Sequence, residues 1–477
     1  MSTKQVAFYP DNGIVNRSSA IFYYRCAPNF NTTLSFMNYW EVKRGLSVTI
    51  IATTRTMSGA IIQKEQLDFS RGQVINYAPN LGEFEFEGSV EVEVFSNENL
   101  FIPYAAIMAI YESRKSLSLT HSYARAYSPA DIAGGNVFSS GNEGCWTIRD
   151  DRYTRSFCVF HNGPKALSAQ DVELRVVNCN GISKTGYISL DRLDPYQTVK
   201  IFPKDHIDDL ANFLGDNEGS ATIDFELGES FSRMLIGNER NNYDEIQTAH
   251  SNFNYAIKEQ DSIENEAEPA TMLLPDFELG EQKVIIYPDY APGDYRAQVG
   301  DQTAWFSSSD RRPRFFECSD NQLEIWRIDG SIPTRLVTGF IAQYNENLLP
   351  VEVSRGIRHS LEPPKSSWWG PCIVSDELNS KLVLNPYEKY CDLSPRSPAT
   401  LSLYSSVSHD VLSLDFEDLP VDLTRKGVFL QELTQVDLRA FFGGEVGYFY
   451  LKSTFTSFDC LTVFQRNDGA IGIEHCF

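Results

Sequence analysis

Nine cysteines (26, 145, 158, 179, 318, 372, 391, 460 and 476) include no CxxC pair, which leaves no zinc-ribbon or thioredoxin motif. An odd cysteine count in a chain of 477 residues also argues against a disulfide framework. The sequence has no GxGxxG, Walker, HExxH or GxSxG signature, so nucleotide enzymes, zincin proteases and α/β-hydrolases have no support. No apolar run approaches the ~18–20 residues of a membrane-spanning helix; Tyr104 to Ile110 is among the longest. The N-terminus has no apolar secretory stretch, so the expected address is cytoplasmic. Basic residues are scarce: the formal charge is −23, which disfavours nucleic acid and anionic membrane surfaces. The expected partners are therefore a small ligand, a carbohydrate or another protein, with the chain a monomer or low-order oligomer.

What is present is β pattern. Segments such as Ser89 to Phe95, Asp171 to Val177 and Ala399 to Tyr404 alternate with period two or form short β-branched and aromatic runs. Helical periodicity is confined to short stretches near His206 to Leu214 and Leu433 to Phe441. Short strands punctuated by Gly, Asn, Asp and Pro predict an all-β chain of antiparallel sandwiches.

An internal repeat organises these strands. Three stretches share one order: an apolar strand running into Asn38, Asn162 or Asn385; a late strand ending in Arg114, Arg240 or Arg466; and a last strand carrying His121, His250 or His475. The Asn-to-His separations are 83, 88 and 90 residues. The reading is three tandem β-sandwich domains in a pseudo-threefold arrangement, with an extra β segment before the third. The boundaries are repeat 1 over 1–130, repeat 2 over 131–257, an acidic linker over 258–270, the extra segment over 271–357, and repeat 3 over 358–477. The extra segment opens with Val284 to Asp289, which echoes Val6 to Asp11.

The second repeat, with Ser156 to Gly163, Val172 to Val177, Leu193 to Phe202 and Arg233 to Arg240, resembles the small sensory-rhodopsin-transducer family. The matching motif positions are Asn162, Gly163 and Arg240. The resemblance implies a compact β-sandwich that associates into cyclic oligomers and serves in binding or signalling. It also implies that fused copies replace a cyclic homo-oligomer with a pseudosymmetric monomer.

Only seven histidines occur, and His121, His250 and His475 hold equivalent places. Near a symmetry axis, three neutral imidazoles can converge on a divalent transition metal; the alternative is that each ties down its own sandwich edge. Arg114, Arg240 and Arg466 lie beside Glu112, Glu239 and Gln465. They suit carboxylate or sugar recognition, or bridge neighbouring copies. Arg358, His359, Trp368 and Trp369 share a Pro/Gly-rich stretch that can stack on a sugar ring, unless the tryptophans belong to the core. The carboxylates around Asp205 and Asp415 lack calcium-loop spacing. The leading expectation is a non-catalytic binding protein acting at inter-domain surfaces. The alternatives are a metal-dependent enzyme with a three-histidine site and a structural assembly component.

Overall fold

The computed structural model describes residues 16–477 apart from 69–72, 83–84, 98–105, 134–142, 216, 241–244, 254–269, 279–280, 288–292, 308–311, 319–321, 329–335, 344–347, 358–366, 387–397, 424–425 and 454–457. Among these residues the chain is mostly antiparallel strand, with a few helices of five or six residues. No described helix is long and apolar enough to cross a membrane.

The first copy shows the plan. Its strands are β1 (Asn16–Cys26), β2 (Phe30–Met37), β3 (Thr49–Thr56), β4 (Ile61–Leu67), β5 (Val74–Tyr77), β6 (Phe86–Ser96), β7 (Ile107–Ser113) and β8 (Leu117–Thr120). One sheet runs β1-β6-β3-β4 and the other β5-β2-β7-β8. Phe22, Ile50 and Val92 from the first sheet and Leu34, Phe36 and Ala109 from the second share one buried apolar cluster, as alternating side chains on two facing sheets must. Residues 143–250 repeat this strand order in both sheets, and so do residues 367–475.

The copy number departs from the sequence reading. Residues 270–357 carry the complete plan in eight strands: Ala270–Leu273, Glu281–Ile286, Asp294–Val299, Gln302–Ser307, Arg314–Glu317, Gln322–Arg327, Leu336–Gln343 and Val351–Ile357. The segment expected over 271–357 is thus a whole copy; its first strand starts at Ala270, the last residue assigned to the acidic linker, and the rest of that linker lies outside the described residues. The two sheets of this copy have the same order as in the other copies, with their own core of Val284, Ile286, Tyr295, Val299 and Ile325. Only Gly300 and Asp301 join its third and fourth strands. The chain therefore holds four sandwiches, and the arrangement expected to be threefold relates four units.

The copies meet head to tail. Phe157, Val159, Leu235 and Ile246 of copy two join the apolar cluster of copy one, and Lys200 Nζ reaches Tyr23 Oη at 3.2 Å. Tyr287 of copy three bonds Thr147 of copy two. Val351 and Val353 of copy three pack with Val383, Leu461 and Val463 of copy four. The seam between copies four and one is formed by Trp369, Tyr448 and Phe464 against Met37, Met108 and Leu119; there Tyr448 Oη donates to Ser35 O at 2.6 Å. Heterologous contacts of this kind close into a ring when the rotation permits, and here they do so within one chain. The short helices sit on loops; Asn38 caps Tyr39–Arg44 by accepting from the Glu41 amide.

Candidate functional site

The last strand of every copy lines the centre of the ring. β8 contacts Glu245–His250, which contacts Val351–Ile357, which contacts Ile471–His475, which returns to β8. The approach is close. A Cβ on Gly472 would lie 3.0 Å from Leu119 Cγ, so glycine lets the fourth copy's strand abut the first. Polar side chains stitch the strands: Ser118 and Thr248 hydroxyls are 2.7 Å apart, and Gln247 Nε2 donates to Leu117 O at 2.7 Å and Ile471 O at 3.1 Å.

At one end of these strands the three expected histidines meet. The ring centroids of His121 lie 4.5 Å from His250 and 4.4 Å from His475, and His250 lies 5.4 Å from His475. With Glu474 they offer four donor atoms within 4.8 Å of one another, the one such cluster among the described residues. The third copy explains why there are three histidines for four copies. Leu235 pairs with His250 and Leu461 with His475, whereas the last strand of copy three, Val351–Ile357, contains no histidine.

Two further residues complete the site. Arg233, on the loop before Leu235–Arg240, donates from Nη1 to His121 Nε2 at 2.9 Å and from Nη2 to His250 Nε2 at 3.1 Å. Its backbone is anchored: its amide donates to Tyr123 O, and its carbonyl accepts from Ser122 Oγ at 2.7 Å. Glu474 Oε2 stands 3.4 Å from His121 Nδ1, and Glu474 Oε1 accepts the His475 amide at 2.9 Å. His250 Nδ1 lies 3.0 Å from Ser251 O, and His250 Nε2 lies 3.2 Å from His475 Nε2.

These partners assign the tautomers. A guanidinium only donates, so the Nε2 atoms of His121 and His250 are acceptors and each ring carries its proton on Nδ1. Burial, reinforced by the Arg233 charge, holds the pKa of His121 and His250 well below that of ordinary histidine, so both rings are neutral at neutral pH. Burial raises the Glu474 pKa, opposed by His475 and by backbone donors. His475, with its side chain 27% exposed, and half-buried Arg233 give this end of the axis its access to solvent.

The other candidates lie elsewhere. Trp368 is 0% exposed within the core of copy four and Trp369 is 8% exposed; Trp369 packs against Tyr39 at 5.3 Å, with Lys43 Nζ 4.5 Å from its ring centroid. Neither presents a free face to a sugar. Arg358 and His359 lie outside the described residues. Arg466 bridges copies, donating to Ser113 O at 2.7 Å and Arg114 O at 2.8 Å. Arg240 donates to Thr154 Oγ1 of its own copy at 3.2 Å. Arg114 is exposed. It lines, with Asn31, Glu112, Arg466 and Asp468, an open cleft of about 840 Å³ at the seam of copies one and four.

The sequence singled out the three histidines that the structure brings together, but not Glu474 or Arg233. Glu474 left a signal, a carboxylate ending the apolar run Ile471 to Ile473. Arg233 left none, because its role depends on a loop meeting histidines 112 and 17 residues away. No protein-family model matches the chain, and no curated protein aligns with it significantly.

Proposed function

We propose that the protein is a non-catalytic binding protein whose axial cluster of His121, His250, His475 and Glu474 takes one divalent transition-metal ion. The observation that carries this reading is the convergence of four donors from three copies onto one buried centre. Donors bound at about 2.0–2.1 Å in a tetrahedron stand roughly 3.3–3.4 Å apart. The His250–His475 nitrogen separation of 3.2 Å and the His121–Glu474 separation of 3.4 Å fall near that value. Neutral imidazoles with one carboxylate suit zinc and its first-row neighbours. Four protein ligands fill a tetrahedral shell, which is the pattern of a structural site; a catalytic site keeps a position open. An ion here would tie together segments more than two hundred residues apart and lock the ring of copies.

Elemental analysis and calorimetry with Zn²⁺ or Co²⁺ test this reading. The expected result is one ion per chain, lost in His250→Ala. A wild-type chain that takes up no stoichiometric ion overturns it.

A second reading, recognition of a small polar ligand such as a carbohydrate, is favoured by the cleft at the seam of copies one and four, where Arg114 offers an exposed guanidinium beside amides and carboxylates. NMR titration with neutral oligosaccharides tests it, with shifts expected around Arg114 and absent in Arg114→Ala.

A further inference from the structure

We infer that Arg233 is a built-in surrogate cation, a side chain that fills the axial site in the metal-free protein and must leave it when a metal ion binds. The inference rests on the metal-binding reading and adds to it how the site is regulated.

The argument is one of lone pairs. His250 Nδ1 is committed to Ser251 O, so its one free lone pair for a metal is on Nε2, and Arg233 Nη2 occupies that lone pair at 3.1 Å. His121 leads to the same conclusion by either route. Ligation through Nε2 needs the lone pair that Arg233 Nη1 holds at 2.9 Å. Ligation through Nδ1 leaves the ring proton on Nε2, facing a guanidinium N–H at that distance, donor against donor. A guanidinium has no acceptor and does not deprotonate in proteins, so it cannot adapt in place. A divalent ion would also stand within a few ångströms of a fixed positive charge in a buried site, where charges are poorly screened.

The same charge explains why the cluster is tolerable without metal. Arg233 satisfies two buried imidazole nitrogens, the compensation that buried polar groups require. Its half-buried position gives the side chain a route outward while its backbone stays pinned by Tyr123 O and Ser122 Oγ. Metal and guanidinium are thus alternative occupants of one electrostatic niche.

Two measurements on the full chain test this. The first is Co²⁺ titration followed by visible absorption, comparing wild type with Arg233→Met. Removing the internal competitor is expected to tighten binding at least tenfold. Equal or weaker binding by a folded variant overturns the surrogate role and leaves metal binding standing, whereas absence of binding in both proteins overturns the two together. The second does not depend on the variant's folding: arginine labelling of wild type with phenylglyoxal, read by mass spectrometry at Arg233. Labelling is expected to rise several-fold on adding Zn²⁺. Unchanged or reduced labelling in protein that has bound Zn²⁺ overturns the inference.

Discussion

The axis and the seam between copies one and four are both buried and both rich in ring side chains, yet they are built on opposite terms. At the seam, Trp369, Tyr39, Tyr448 and Phe464 meet Met37, Met108 and Leu119, and area removed from water is the stabilising quantity. At the axis, His121 and His250 are buried as deeply, but each ring brings nitrogens that need polar partners, supplied from its own copy (Arg233 to His250) and from others (Arg233 to His121, His475 to His250). Aromatic hydrocarbon is satisfied by any apolar neighbour, whereas a buried imidazole needs a specific donor or acceptor. Burial therefore identifies core at the seam and a candidate site at the axis.

The comparison can be broken most severely at an aromatic position. Trp368→Ala is expected to cost about 3–5 kcal/mol of unfolding free energy through the cavity it leaves, seen as a lower denaturant midpoint. A loss under 1 kcal/mol would mean that the ring is not core.

Histidine burial can be sharpened away from the axis. His161, 2.9 Å from Thr198 Oγ1, has its pKa pushed by burial down to about 3 from an unperturbed 6.5. The unfolded chain then binds the proton first as pH falls. Stability from this group is complete above 6.5 and is lost progressively between 6.5 and 3, by about 2 kcal/mol at pH 5. His161→Asn, which can keep a hydrogen bond to Thr198, is expected to flatten the pH dependence of unfolding relative to wild type by that amount; an unchanged slope would place the proton elsewhere.

The two arginines that the repeat makes equivalent give the smaller effects. Arg466→Gln removes charged donors to two carbonyls of copy one and is expected to cost about 1–2 kcal/mol, as a lower melting temperature. Arg114→Gln, at an exposed position, is expected to change stability by less than about 0.5 kcal/mol. Equal effects at both positions would show that the seam does not use Arg466 as a bridge.

Strand alternation made the fold class legible, and the recurring Arg and His made the repeat legible in three copies. The third copy in the chain escaped notice because its last strand, Val351–Ile357, carries no histidine. Alternation does not by itself give exposure. Val90, Val92 and Val94 face the core of copy one as the pattern predicts, but Glu91 and Glu93 between them are buried as well. Glu91 is held by Arg17 and Arg55, each at 3.0 Å, and Arg55 lies 4.0 Å from the ring centroid of Tyr196 in copy two. Packing a second sandwich on the polar face turns an outer surface into an interior, and no single strand encodes that.

The amino-acid order alone set the local terms: which segments are strands, which side chains alternate, and which residue types recur at the end of each copy. Those are short-range properties, fixed by backbone sterics and by the two-residue period of a strand. The meeting of His121, His250, Glu474 and His475, and the reach of Arg233 from His250 of its own copy to His121 of copy one, were decided only when the sandwiches closed into a ring. Distances between residues more than a hundred positions apart follow from the rotation between packed copies, which depends on all the seams together.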